Sequence, residues 1–97
     1  MLVLRTLARG GDQHGFEIAD AIERVSADVI RVEEGSLYPA LQRMLLKGWV
    51  TARWGRTEEN RRARYYRATA LGLRQLEREV EDYRRVSGAI ARVLGNA

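Results

Sequence analysis

Residues 32–50 read VEEGSLYPALQRMLLKGWV. On a helix, Leu37, Ala40, Leu41, Met44 and Leu45 gather on one face, while Ser36, Pro39, Gln42 and Arg43 point away from it. One side is core and the other is free to meet a partner. Ser36 is the expected N-cap, accepting the Tyr38 N–H; that places Pro39 in the first turn, where a missing N–H costs nothing. Gly48 supplies the C-terminal stop. Glu33 and Glu34 stand before the helix, where carboxylates stabilise the positive end of its dipole by roughly 0.3 to 1 kcal/mol. Leu46 lies nearly opposite the core stripe and is left for contact with a wing or a second subunit.

Upstream, Leu4, Leu7 and Ala8 follow helical spacing and stop at Gly10-Gly11. Asp12 is placed to cap a second helix whose stripe is Phe16, Ala19, Ile22 and Val25. His14, next to Gly15, reads as a helix-start residue with a local hydrogen bond. DVIRVE, residues 28–33, alternates like a brief strand, with Ile30 and Val32 on one side. Downstream, WVTARW (49–54) and ARYYRA (63–68) flank the polar loop GRTEENRR, which predicts a β-hairpin with a basic tip. Trp49, Trp54, Tyr65 and Tyr66 are expected as core and cross-strand residues. Thr69 caps a last helix over 70–94, with a seam of Leu73, Leu76, Val80, Tyr83, Val86, Ile90 and Val93. Gly72 and Gly88 each weaken it by about 1 kcal/mol relative to alanine. Such a helix is about 37 Å long, more than the first 68 residues can cover, so the seam is expected to pair with a second copy.

The 97 residues suffice for one core. The expected units are a domain over 1–68 and a dimerisation helix over 69–97. No apolar run reaches the ~20 residues of a membrane span, and no small-residue cleavage site follows a basic leader, so the expected location is the cytoplasm. The absence of cysteine removes disulfides and thiolate metal sites, and His14 is the only histidine. No cofactor or metal is expected. The net charge of +4 is concentrated in residues 49–68, where six arginines face two glutamates. Charge alone fits either a solvated surface or one that binds a polyanion.

The element order helix, helix, short strand, helix, hairpin, helix is that of a mainly α winged helix-turn-helix (α-α-β-α-β-β) followed by a long helix. EEGSLYPALQRMLLKGWV, the ENRRARYYRAT return strand, TALGLRQLE, and the upstream VLRTLARG and HGFEIADAIE closely resemble the PadR family of bacterial transcriptional regulators. The single helix after the wing matches the short form of that family. The resemblance implies a homodimeric repressor of a kind often released from DNA by a small molecule; Trp49, Trp54, Tyr65 and Tyr66 would suit a small aromatic or drug-like effector stacked at the dimer interface. It also implies several residues ahead of Leu2, so the first helix is expected to be shortened.

On a duplex, Ser36 and Tyr38 would meet phosphates, Gln42 and Arg43 would reach adenine and guanine edges, and Pro39 would touch a thymine methyl. Tyr38 is equally suited to covering the edge of the core. Arg56, Arg61, Arg62 and Arg64 would follow the backbone or enter the minor groove. Two such units would read a pseudo-palindromic operator. An enzyme is not expected: no nucleophile pairs with His14 in a recognisable motif, and Ser36 and Lys47 lie about 15 Å apart along one helix. The alternative is a winged helix used for RNA or protein contact, which the outward arginines disfavour.

Overall fold

In the computed structural model, which describes residues 1–95, the chain runs α1 (Leu2–Gly10), β1 (Gln13–His14), α2 (Gly15–Val25), α3 (Glu34–Leu46), β2 (Val50–Arg56), β3 (Arg62–Ala68) and α4 (Ala70–Leu94). The strands form an antiparallel sheet in the order β1-β3-β2. The winged helix-turn-helix and its long final helix are therefore present, with α3 as the third helix and β2–β3 as the wing. Residues 96 and 97, the end of the 69–97 segment, lie outside the described residues.

The third strand is not where the alternation of DVIRVE put it. Residues 28–33 form no strand; Ala27 and Asp28 take positive φ, and the segment is held by side chains. Ser26 Oγ accepts the Ile30 N–H at 3.1 Å, and Glu23 Oε2 accepts the Val32 N–H at 2.9 Å. A strand needs a free sheet edge, and the edge of β3 is occupied by Gln13 and His14, which pair with Tyr66 and Tyr65.

The α2 stripe also needs correcting. Phe16 and Val25 are 73% and 70% exposed, whereas Ile18 and Ile22 are buried. A three-residue step falls about 60° short of a full turn, so a ladder of such steps from Phe16 to Val25 wraps halfway round the helix. The four-residue pair Ile18 and Ile22 keeps one face. Nor does Asp12 cap α2. His14 does, its Nδ1 accepting the Glu17 N–H at 3.4 Å while Glu17 Oε1 accepts the His14 N–H at 3.1 Å, a reciprocal capping box.

In α3 the buried stripe is as expected, with Leu37 and Leu41 buried and Ala40, Met44 and Leu45 half-buried. Its start is earlier than expected. Glu33 is the N-cap, without a side-chain capping bond, and Ser36 falls inside the first turn, where its N–H reaches the Glu33 carbonyl at 3.1 Å. Pro39 then sits in the second turn, and the Gly35 carbonyl that loses its donor lies in an exposed part of the helix. At the other end Gly48 has φ 74°, and the Trp49 and Gly48 N–H groups return to the Met44 and Leu45 carbonyls, the Schellman closure.

Core residues come from every long element: Leu4 and Leu7 of α1, Ile18 and Ile22 of α2, Leu37 and Leu41 of α3, Val50 and Tyr66 of the sheet, Leu76 of α4. Each such side chain contributes roughly 1.5 to 3 kcal/mol on burial, and together they fix α3 against α2 and the sheet. Thr69 joins α4 to this body: its hydroxyl donates to the Gly48 carbonyl at 2.7 Å and accepts the Gly72 N–H at 3.0 Å. A Cβ on Gly72 would collide with the Trp49 carbonyl, so this glycine is required by a close approach even though it weakens the helix. Beyond Val80 the α4 seam emerges from the body. Tyr83, Val86, Ile90 and Val93 are all more than half exposed, and the molecule is elongated, 52 × 28 × 22 Å.

Candidate nucleic-acid interface

The outward flank of α3 is formed by Ser36, Pro39, Gln42 and Arg43, all exposed. Tyr38 combines the two roles open to it. Its ring leans on the start of α2, where a Cβ on Gly15 would come within 2.7 Å of its hydroxyl, yet it remains 48% exposed. Leu46 is also exposed and is covered by nothing among the described residues.

The hairpin is longer than its sequence pattern indicated, because pairing runs on from Trp54–Arg64 to Gly55–Ala63 and Arg56–Arg62. The loop shrinks to 57–61, closed by the Thr57 N–H to the Arg61 carbonyl at 2.8 Å and turned at Asn60 with φ 62°. Cross-strand partners share a face. Val50 and Ala68, Ala52 and Tyr66, Trp54 and Arg64, Arg56 and Arg62 lie on the face that begins in the core; Thr51 and Arg67, Arg53 and Tyr65 lie on the other.

The arginines therefore divide. On the core-derived face Arg62 stacks over the Trp54 ring at 4.3 Å from its centroid, and Arg64 lies 5.9 Å from both Trp54 and Tyr66. Arg56 donates to the Asn60 carbonyl at 3.2 Å, and its own carbonyl accepts the Tyr65 hydroxyl at 3.1 Å. Arg61, in the loop, has Glu59 at 3.8 Å with both side chains largely exposed. On the opposite face, Asp12 accepts two bonds from Arg53 at 3.0 and 3.1 Å and one from Arg67 at 2.6 Å. The Arg67 bond, supported by Arg53, holds the Asp12 carboxyl below its ordinary value of 3.8.

The structure thus brings Ser36, Tyr38, Pro39, Gln42 and Arg43 together on one helix, and Arg56, Arg62 and Arg64 together on one face of the wing, with Arg61 at its tip. Two features escaped the sequence reading. Asp12 pairs with two of the six hairpin arginines across 41 and 55 residues, which no local pattern reveals. Trp54 is 58% exposed beneath two arginines and is not a core residue; only the strand register discloses that placement. Trp49 is half-buried and Tyr66 buried, as expected, and Tyr65 meets His14 edge-on at 5.4 Å. Among the described residues no helix is long and apolar enough to cross a membrane, and no group of three potential metal ligands occurs.

These features define a winged helix-turn-helix protein with a long C-terminal helix. The model of the PadR-like family of transcriptional regulators matches residues 3–78, and the chain belongs to that family, whose members are regulators and not enzymes. Its structure is similar to that of a transcriptional regulator from Clostridium thermocellum, with a TM-score of 0.84 and 27% identity over 94% of this chain and 87% of the other. It is also similar to Bacillus subtilis PadR, solved in complex with operator DNA, with a TM-score of 0.70 and 20% identity over 81% of this chain and 44% of that one. An uncharacterized 37.1 kDa protein in a transposon of Streptomyces fradiae is 42% identical over 93% of this chain, which spans 24% of that protein's length.

Proposed function

We propose that the chain is a homodimeric, sequence-specific DNA-binding repressor, with residues 1–68 as the DNA-binding unit and 69–97 as the dimerisation helix. The observation that carries this reading is the α3 flank: a polar, exposed row ending in Arg43, fixed by Leu37 and Leu41 behind it, beside a wing face with three arginines. Gln42 and Arg43 read base edges in the major groove, Ser36 and Tyr38 meet phosphates, and Pro39 lies against a thymine methyl. Arg56, Arg61, Arg62 and Arg64 follow the flanking backbone. Glu33 and Glu34 stabilise the start of α3 and repel phosphate there, which weakens binding at arbitrary sequence. The operator-bound Bacillus PadR supports this use of the fold.

The exposed Tyr83, Val86, Ile90 and Val93 pair with the same seam of a second copy, and two reading helices then address a pseudo-palindromic site. A flat aromatic effector held between the copies releases the operator.

Selection of bound fragments from genomic DNA, followed by gel shifts on the recovered site, tests the reading. Arg43→Ala is expected to weaken operator binding by about 1 to 3 kcal/mol and relax the base preference at one position; operator affinity equal to wild type removes Arg43 from the interface. Tyr83→Asp is expected to give monomers by sedimentation. A dimer of unchanged mass places the interface elsewhere.

A further inference from the structure

We infer that Trp54 is a positioning residue for the DNA contact: its ring holds the guanidinium groups of Arg62 and Arg64 as an ordered pair along the wing before any duplex arrives. The inference rests on the DNA-binding reading above and adds to it a residue that carries no charge and no hydrogen bond to a base.

Trp54 lies directly opposite Arg64 in the strand register, and Arg62 is its diagonal neighbour two residues along β3, a separation that long side chains span. Both guanidinium groups use that proximity, at 4.3 and 5.9 Å from the ring centroid. The same face carries Arg56 directly opposite Arg62, a like-charge pair that by itself disfavours the hairpin. The opposite face solves its charge problem with Asp12. Here no carboxylate of the described residues lies within 4.0 Å of Arg56, Arg62 or Arg64, and the electron-rich face of an indole takes its place.

The difference matters for binding. A carboxylate would have to be displaced or left beside a phosphate, whereas an aromatic face orders a cation and leaves its outer N–H groups free for an oxyanion. A long arginine side chain loses freedom when it grips a phosphate, and stacking in the free protein removes part of that loss beforehand. A large, mostly exposed tryptophan in the outer half of a strand, away from the core, is accounted for by this task.

The test measures affinity for a duplex against salt concentration for wild type, Trp54→Leu and Trp54→Phe, with thermal denaturation as the control for folding. Trp54→Leu is expected to bind about fivefold more weakly while the salt slope stays within about half a unit of wild type, because both arginines keep their charge, with little change in melting temperature; Trp54→Phe recovers most of the loss. In an Arg62→Ala, Arg64→Ala background, Trp54→Leu is expected to change affinity by less than about twofold, because the residue acts through the two arginines. Arg62→Lys with Arg64→Lys keeps both charges and loses the planar groups, so it carries the same test with Trp54 untouched, and weaker binding is expected. A wild-type affinity in either Trp54→Leu or the lysine pair overturns the inference. So does an undiminished Trp54→Leu loss in the arginine-free background, which would mean that the indole touches DNA itself. If wild type binds no duplex at low salt, the DNA reading falls and this inference with it.

Discussion

The two faces of the β2–β3 hairpin treat the same residue type in opposite ways. On one, Arg53 and Arg67 converge on Asp12 and are spent holding the sheet to the turn before β1. On the other, Arg62 and Arg64 lie over Trp54 and Arg56 reaches only a backbone carbonyl. A count of six arginines against two glutamates in residues 49–68 hides this division. The face that continues from the core, and so turns toward the side on which α3 packs, is the one whose positive charge is uncompensated. Positive charge on a surface carries meaning only after its internal partners are subtracted.

Removing one pair of arginines from each face gives the sharpest separation. Arg62→Ala with Arg64→Ala is expected to lower affinity for any duplex on the order of tenfold and the salt slope by about two units, with little change in melting temperature. Arg53→Ala with Arg67→Ala is expected to do the reverse, leaving the slope near wild type while lowering the melting temperature, because Asp12 loses its donors. Equal slopes for the two double variants would erase the distinction between the faces.

Much of this was legible in the sequence. The α3 stripe, the Gly48 stop, the Thr69 cap and the span of α4 follow from periodicity and end signals, which are local. The misread features depend on what a segment meets. Phe16 and Val25 look like core until Ile18 and Ile22 are seen to hold the four-residue spacing. Residues 28–33 alternate like a strand, but the sheet edge is taken by Gln13 and His14. Ser36 suits an N-cap, yet the helix begins a turn earlier because Glu33 carbonyl bonding continues through Ser36 and Leu37. Within the candidate interface, residue types and elements were readable, while the pairing of Asp12 with Arg53 and Arg67 and the stacking on Trp54 required the register of β3 against both its neighbours.

Asp12→Asn probes the face paired with Asp12 by a smaller change. The isosteric amide still accepts hydrogen bonds but lacks the charge that both guanidinium groups share. The variant is expected to melt at a lower temperature than wild type, and its salt slope on DNA is expected to stay within about half a unit of the wild-type value, because Arg53 and Arg67 remain on the face turned away from α3. A slope raised by about two units would show that Asp12 normally withholds these arginines from the phosphate backbone. The two outcomes assign the carboxylate either to the architecture of the sheet or to restraint of DNA affinity.

The weakest expected effect is a pH dependence, and its sign follows from the same ion cluster. The Arg67 and Arg53 bonds lower the Asp12 pKa in the folded chain below the ordinary value of 3.8, so over the interval between the two values the unfolded chain takes up a proton that the folded chain refuses. Stability therefore rises with pH through that interval. The Asp12 contribution is present in full above the unfolded value and is lost as pH falls through the folded one. Denaturant titrations of wild type and Asp12→Asn should run parallel above about pH 5 and converge below the ordinary carboxylate value. A gap between them that stays constant down to the lowest pH would mean that the asparagine acts through packing at the β1 turn, and that the charge on Asp12 contributes nothing to the difference between the two faces.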